Sequence, residues 1–327
     1  MTAPPMREQS YRLATYVRGN EAPRAGIVVD EALLDVGALL TKSGGKPVAP
    51  WPTQVLQVLE RWTQLRPVFQ QAARDHRTGK AVAEAIPVGD VRLLAPVLYP
   101  GAIFCAGANY RDHVAEMSKA LNLPAEPDPH EAGLKPWHFM KASAGCVRGT
   151  GELIQLPPYS KKVDWEAEIA VIIGRECRNV RTESAMEYVA GLSIVNDLSA
   201  RDHLKRPGVK IDSPFYFDWV SQKCFDGALP FGPWICPLDD IDDIENLGIR
   251  LWVNEELMQD SSSANMIFSA AEQIAHLSTR LTLRPGDVIA TGTPAGCGTP
   301  RGIFLKTGDR VRISIDHLGT LINEFRD

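Results

Sequence analysis

The sequence has no run of about 18 apolar residues, the length a helix needs to cross a bilayer, so no membrane partner is expected through a spanning helix. It has no strong excess of either charge. Its 35 Lys and Arg stand against 40 Asp and Glu, a formal balance of -5. A balance that mild gives no electrostatic case for nucleic acid or a membrane surface as partner. Cys105, Cys146, Cys177, Cys224, Cys236 and Cys297 are present, but none forms C-x-x-C. No ligand pair has the spacing of a structural zinc site. Free thiols are expected, with one catalytic cysteine left open. The stretch MTAPPMREQSYRLATYVRG has no apolar core of the secretory kind, and a cytoplasmic location is expected. Neither a fixed-period repeat nor a low-complexity tract occurs.

What is present reads as an ordinary globular chain of 327 residues, 44% apolar and 23% charged. That length accommodates one large domain and a smaller one. The division is placed near residue 95. Before it, YRLATYVRG and AGIVVDEALLDVGALL read as short strands broken by turn residues. TQVLQVLERWTQLRPVF then sets Val55, Leu59 and Trp62 at helical spacing, with Pro67 expected to end or kink the helix. Residues 1–95 are therefore read as a small N-terminal domain, structural or dimer-supporting, and 96–327 as the larger, chemistry-bearing one. Strand-like runs recur in the latter at 166–173, 191–197, 248–253, 287–291 and 310–315. Ile267, Ala271, Ile274, Leu277 and Leu281 share one helical face before the turn signal RPGD. Many strands with few helices between them predict a β-rich α+β fold rather than a doubly wound sheet.

The chemistry gathers around VDWEAEIAVIIGR, Val163 to Arg175. In a strand, Glu166 and Glu168 point to the same face. Two carboxylates that close repel, and burying them unpaired is costly. Asp197 follows an apolar run in GLSIVNDLSARD. Three convergent carboxylates would make a site for a hard cation such as Mg2+ or Mn2+. The alternative is ion pairing with Arg175, Arg201 or Lys162 on a solvated edge. His113 and Glu116 are three apart, hence neighbours on one helical turn. On its own, His113 reads as a surface histidine. Lys223, among Cys224 and Phe225, needs an anionic partner unless its stem merely lies along apolar surface. ATGTPAGCGTP can present N–H groups and a hydroxyl to an oxyanion, or be a plain tight turn. It is not a nucleotide phosphate loop, because no Gly-Lys-Ser/Thr follows. Cys297 in that loop is the thiol expected to be most open to oxidation.

Five stretches in order, GANYRDHVAEM at 107–117, the E-A-E strand, N-D-L-S-A-R-D, KCFDG…LPFGPW at 223–234 and TGTPAGCG at 291–298, together resemble the motifs of the fumarylacetoacetate hydrolase family. The resemblance covers roughly residues 96–325. It implies a mixed β-sandwich roll with a small β-rich N-terminal domain, a homodimer, and a small dicarbonyl acid as substrate. It implies that Glu166, Glu168 and Asp197 bind Mg2+ or Mn2+. It further implies that His113, Glu116 and Lys223 are catalytic, and that Arg201, Thr293, Gly292 and Tyr110 bind substrate.

The reaction it favours is hydrolysis of a carbon–carbon bond in an acylpyruvate- or fumarylpyruvate-like β-diketo acid, by water that His113 activates, leaving an enolate for the cation to hold. Decarboxylation of an oxaloacetate-like acid and isomerisation or hydration of an aromatic ring-cleavage product are the enzymatic alternatives. A catalytically silent binding protein on the same fold is the non-enzymatic one. Two departures stand out. Leu204 occupies a place where many relatives carry Gln, and residues 118–135 form a long Pro-containing stretch that reads as a mobile lid or an ordinary loop.

Overall fold

Ala167–Ile173 is apolar except for Glu168, and all of it is buried. A strand of that composition needs cover on both faces. The computed structural model, which describes residues 7–42, 52–122, 124 and 127–327, places it deep inside a twelve-stranded sheet. It pairs antiparallel with Val189–Asn196 on one side and Val288–Ala290 on the other. Beyond Val288–Ala290 lie Ile103–Ala106, parallel, and then His138–Met140. Beyond Val189–Asn196 lies Leu229–Pro237, and beyond that Arg12–Val17, Arg24–Val29, Ala32–Asp35 and Ala85–Pro87. A second sheet, in the order Glu256–Ser262, Gly248–Val253, Arg310–Ile315, Gly319–Arg326 and Ile154–Gln155, packs against the first. The architecture is the expected β-rich α+β, with two sheets facing each other.

Residues before 95 are not walled off from the rest. Leu13 pairs with Ile235, which joins the N-terminal strands to the large sheet. Leu13, Ile27 and Phe69 share one apolar core with Ile169, Leu192 and Ile313. The expected helix around Trp62 is two helices, Val55–Leu59 and Trp62–Arg77. Pro67 lies inside the second and does not end it. Burial of Trp62, Leu65, Phe69, Ala72 and Ala73 along one face outweighs the loss of one helical hydrogen bond.

Further on, the helix expected to span Ile267 to Leu281 is confined to Ala270–Ser278. Ser269 and Glu272 form a capping box that starts it, so Ile267 packs from the preceding loop. Leu229–Pro237 is a strand outside the expected runs, although Pro230, Pro233 and Pro237 cannot donate to a ladder. It nevertheless bridges the two halves of the sheet, with a register shift between Leu192 and Ile194 opposite it.

Candidate active site and metal centre

Residues directly opposite on paired strands share a face. The register sets Ala167 against Asn196 and Glu168 against Val195. Glu166 therefore meets Asp197, whose N–H donates to the Glu166 carbonyl at 2.9 Å. Glu168, two residues on, returns to the same face. One carboxylate oxygen from each of Glu166, Glu168 and Asp197 lies within 4.8 Å of the others. The three residues are 6%, 1% and 0% exposed, which removes the solvated-edge alternative.

Of the three cations weighed as partners, Arg201 alone reaches the trio. Its Nη2 lies 2.5 Å from Glu166 Oε1, and its Nε lies 3.0 Å from Asp164 Oδ2. Arg175 instead faces Glu187 at 3.6 Å, and Lys162 sits over the Phe304 ring. Lys223 Nζ stands between Glu166 Oε2 at 2.7 Å and Asp197 Oδ2 at 2.8 Å. Burial alone would push the Lys223 ammonium toward neutrality, but Asp197 and Glu166 outweigh it and raise its pKa. Glu166 is held well below the usual carboxylate range. Burial opposes that shift, and Arg201 and Lys223 overcome it.

Glu168 shows the opposite shift. Burial, Asp197 and Glu166 together push its carboxyl well above the usual range. In addition, Asp197 Oδ1 is buried with no hydrogen-bond donor directed at it. That oxygen has the Lys141 ammonium 2.8 Å away but no aligned donor, and beside a carboxylate that its neighbours repel it fits a divalent cation with oxygen ligands.

The 291–298 loop carries donors, as expected, and the structure shows where they go. Gly292 N–H donates to Glu168 Oε2 at 2.7 Å, Gly296 N–H to Glu116 Oε2 at 2.7 Å, and Gly298 N–H to Asp164 Oδ1 at 2.6 Å. Gly292 adopts φ +96°, and a Cβ there would fall 2.8 Å from Asn109 Cβ. The Thr293 hydroxyl donates to the Ala167 carbonyl at 3.0 Å and accepts from Gln259. Thr293 and Gly292 therefore orient carboxylates and strand rather than offering free donors to an oxyanion. Cys297 is fully buried and burial pushes its thiol up, which reverses the expectation that it is the oxidation-prone cysteine.

His113 and Glu116 both lie on the Arg111–Leu121 helix. No hydrogen bond joins them. Glu116 is turned to Gly296, while His113 Nδ1 faces Cys297 Sγ at 3.9 Å. Burial depresses the His113 pKa, and the nearby carboxylates of Glu166, Glu116 and Asp164 only partly counter it. Tyr110, just before that helix, is fully buried. Burial first, and then the charge of Glu168, raise its pKa. The 118–135 stretch lies partly outside the described residues, at 123, 125 and 126. His130 within it is docked, 2.8 Å from Glu272 Oε1 and against the Phe268 ring.

Two residues of the site escaped the sequence reading. Lys141 Nζ lies 2.8 Å from Asp197 Oδ1 and donates to the carbonyls of Leu198, Lys223 and Ala228. Asp164 is wholly buried and accepts from Arg201, Gly298 N–H, and the Thr299 N–H and hydroxyl. For Lys141, in HFMKAS, no local signal exists. Asp164 sits two residues before Glu166, inside a motif that drew attention only to its glutamates.

Fold and site together define a two-sheet α+β protein with a buried carboxylate centre suited to a divalent cation. Residues 102–326 match the family profile described as fumarylacetoacetate (FAA) hydrolase C-terminal. The chain is 38% identical over 275 residues to the mitochondrial oxaloacetate tautomerase Fahd2a of Rattus norvegicus, covering 84% of this chain and 80% of that protein. It is 39% identical over 237 residues to the mitochondrial oxaloacetate tautomerase fahd2 of Xenopus laevis, covering 72% and 68%. Among solved structures, maleylpyruvate hydrolase from Sphingobium sp. SYK-6, in complex with manganese(II) and pyruvate, superposes with a TM-score of 0.70 at 28% identity. That alignment covers 96% of this chain and 98% of the other. The chain belongs to the fumarylacetoacetate hydrolase family. Its mitochondrial relatives lend the cytoplasmic expectation no support, and no helix among the described residues is long and apolar enough to cross a membrane.

Proposed function

We propose that this protein interconverts the keto and enol forms of a small 2-oxo acid with an acidic C3–H, oxaloacetate being the reference substrate. The observation that carries this is the separation of His113 from Glu116. Glu116 is held by Gly296 N–H, so the pair is not assembled to activate water. Enolisation needs a single base, and His113 supplies one. Its relatives named oxaloacetate tautomerases, at 38% identity, support the same reading.

Glu166, Glu168 and Asp197 are the residues that would hold Mg2+ or Mn2+. When bound, such an ion would supply Lewis-acid polarisation of a substrate oxygen. The chain's own groups do the rest. With Nδ1 toward Cys297, the Nε2 of His113 is left to take the C3 proton and return it to oxygen. Lys223 holds a fixed positive charge beside the acidic trio, where negative charge on the substrate oxygens is stabilised without reorganisation. Burial around these groups excludes water and strengthens each interaction.

Hydrolysis of an acylpyruvate is the second reading, favoured by the likeness to maleylpyruvate hydrolase. A small shift of Glu116 toward His113 on substrate binding would assemble that pair. One experiment separates them. Purified protein with Mn2+ is given enol oxaloacetate, followed by loss of enol absorbance, and an acylpyruvate, followed by pyruvate release. Fast ketonisation without pyruvate release is expected. Pyruvate release with no acceleration of ketonisation would replace the tautomerase reading by the hydrolase one.

A further inference from the structure

Five aromatic rings stand together beside Lys223. Phe139 lies with its ring centroid 4.6 Å from Lys223 Nζ, the same atom that touches Glu166 and Asp197. Trp219 stacks on Phe139 at 5.4 Å and 17°, and Phe217 on Trp219 at 6.3 Å and 28°. Tyr216 meets Phe217 edge-on at 4.8 Å, and Trp137 meets Trp219 edge-on at 5.6 Å. Trp137, Phe217 and Trp219 remain 47%, 47% and 37% exposed. A contiguous group of large exposed rings marks a binding surface.

The rings are carried by the elements that carry the chemistry. Trp219 opens the short helix that ends in Lys223. Phe139 stands opposite Cys105 on the edge strand His138–Met140, two residues before Lys141. The Trp137 indole covers Gly107, where any Cβ would fall 2.0 Å from it, and Gly107 leads into the His113 helix. The loop bearing Tyr216 and Phe217 is tied at its base, where Asp218 N–H donates to the Leu204 carbonyl at 2.8 Å. Two cations near the rings are committed, Lys223 to Glu166 and Asp197, and Arg206 to Asp218 at 2.8 Å. Lys205 stands opposite Phe217 but is exposed, and a surface ion pair with a second carboxylate of the substrate would contribute little. A planar apolar group would find stacking partners.

We propose that the wall of Trp137, Phe139, Phe217 and Trp219 is the subsite for the distal half of the substrate. It selects 2-oxo acids whose C3 substituent is aryl or conjugated alkenyl over those with a second carboxylate. This rests on the enolising reading above.

The test compares ketonisation of phenylpyruvate and oxaloacetate by the full chain with Mn2+, alongside calorimetric binding of phenylpyruvate. Wild-type protein is expected to favour phenylpyruvate in kcat/KM. Trp219→Leu and Trp137→Leu are each expected to lower the phenylpyruvate-to-oxaloacetate ratio by about tenfold, and Trp219→Phe to keep it. Having two sites of substitution covers the case in which one variant fails to fold. An unchanged ratio, or an equal fall on both acids, overturns the proposal. So does conversion of an oligomer to monomers by Trp219→Leu in sedimentation, which would make the wall an interface between copies. If the wild type enolises neither acid, the proposed function falls. The subsite is then upheld by about tenfold weaker phenylpyruvate binding in Trp219→Leu, and is overturned by unchanged binding.

Discussion

Lys141 Nζ lies 2.8 Å from Asp197 Oδ1, yet its three protons go to the carbonyls of Leu198, Lys223 and Ala228. The lysine thus supplies charge to the acidic trio while leaving one Asp197 oxygen without a donor. Its side chain is wholly buried, as is that of Asp197. Lys141→Met should therefore take a donor from the carbonyls of Leu198, Lys223 and Ala228, of which Ala228 keeps the Leu198 N–H, and leave a buried carboxylate short of one cation. A loss of about 3–5 kcal/mol is expected in denaturant unfolding. A loss below 1 kcal/mol would show that the charge is not needed there.

Removal of the cation and removal of Glu168 should compensate. Because the folded state raises the Glu168 pKa, its ionised form is disfavoured by folding. Its contribution to stability is present below the unfolded value of 4.5 and is lost as pH rises through the folded value. At pH 7 in EDTA, Glu168→Gln should melt higher than wild type. With saturating Mn2+ the order should reverse, because a charged ligand is gone. The same order of melting temperatures with and without Mn2+ would remove the cation from this trio.

The pH profile follows from His113. Burial depresses its pKa below 6.5, so the neutral base form persists into mildly acidic solution. The acidic limb of kcat/KM should lie below pH 6.5, rather than at or above it as the unperturbed side chain would give. His113→Gln should lower the rate by about 10²–10⁴-fold and abolish that limb, with Mn2+ affinity retained. A limb unchanged in the variant would assign it to another group.

Asp35 tests the N-terminal strands. Arg24 holds its carboxylate at 2.7 and 2.8 Å, and Tyr16 donates at 2.8 Å. Burial would raise the Asp35 pKa, but these partners and Ala38 N–H lower it below 3.8. The stabilisation is present above 3.8 and is lost as pH falls through the lowered folded value. Asp35→Asn should cost roughly 1 kcal/mol at pH 7, since Arg24 is partly solvated. The difference from wild type should vanish in strong acid, and a difference that persists there would trace to packing instead.

Much of the site was legible because it is local. The E-x-E spacing sets two carboxylates on one strand face whatever surrounds them, since side chains alternate with period two. The Ser269–Glu272 capping box was equally readable, and it would have placed the helix start correctly. Leu229–Pro237 was not readable, because its three prolines argue against a strand unless neighbouring register shifts absorb them.

By itself, then, the sequence determined the β-rich α+β fold class, the acidic pair on one strand face, and the placement of His113 and Glu116 on one helix. Only the tertiary structure decided what neutralises what. Residues that meet only through strand pairing, such as Glu166 with Asp197, or through long-range closure, such as Lys141 with Asp197 and Gly296 with Glu116, leave no periodic trace in the chain. Their energies depend on burial and on distances of a few ångströms, and both quantities exist only once the sheet has closed.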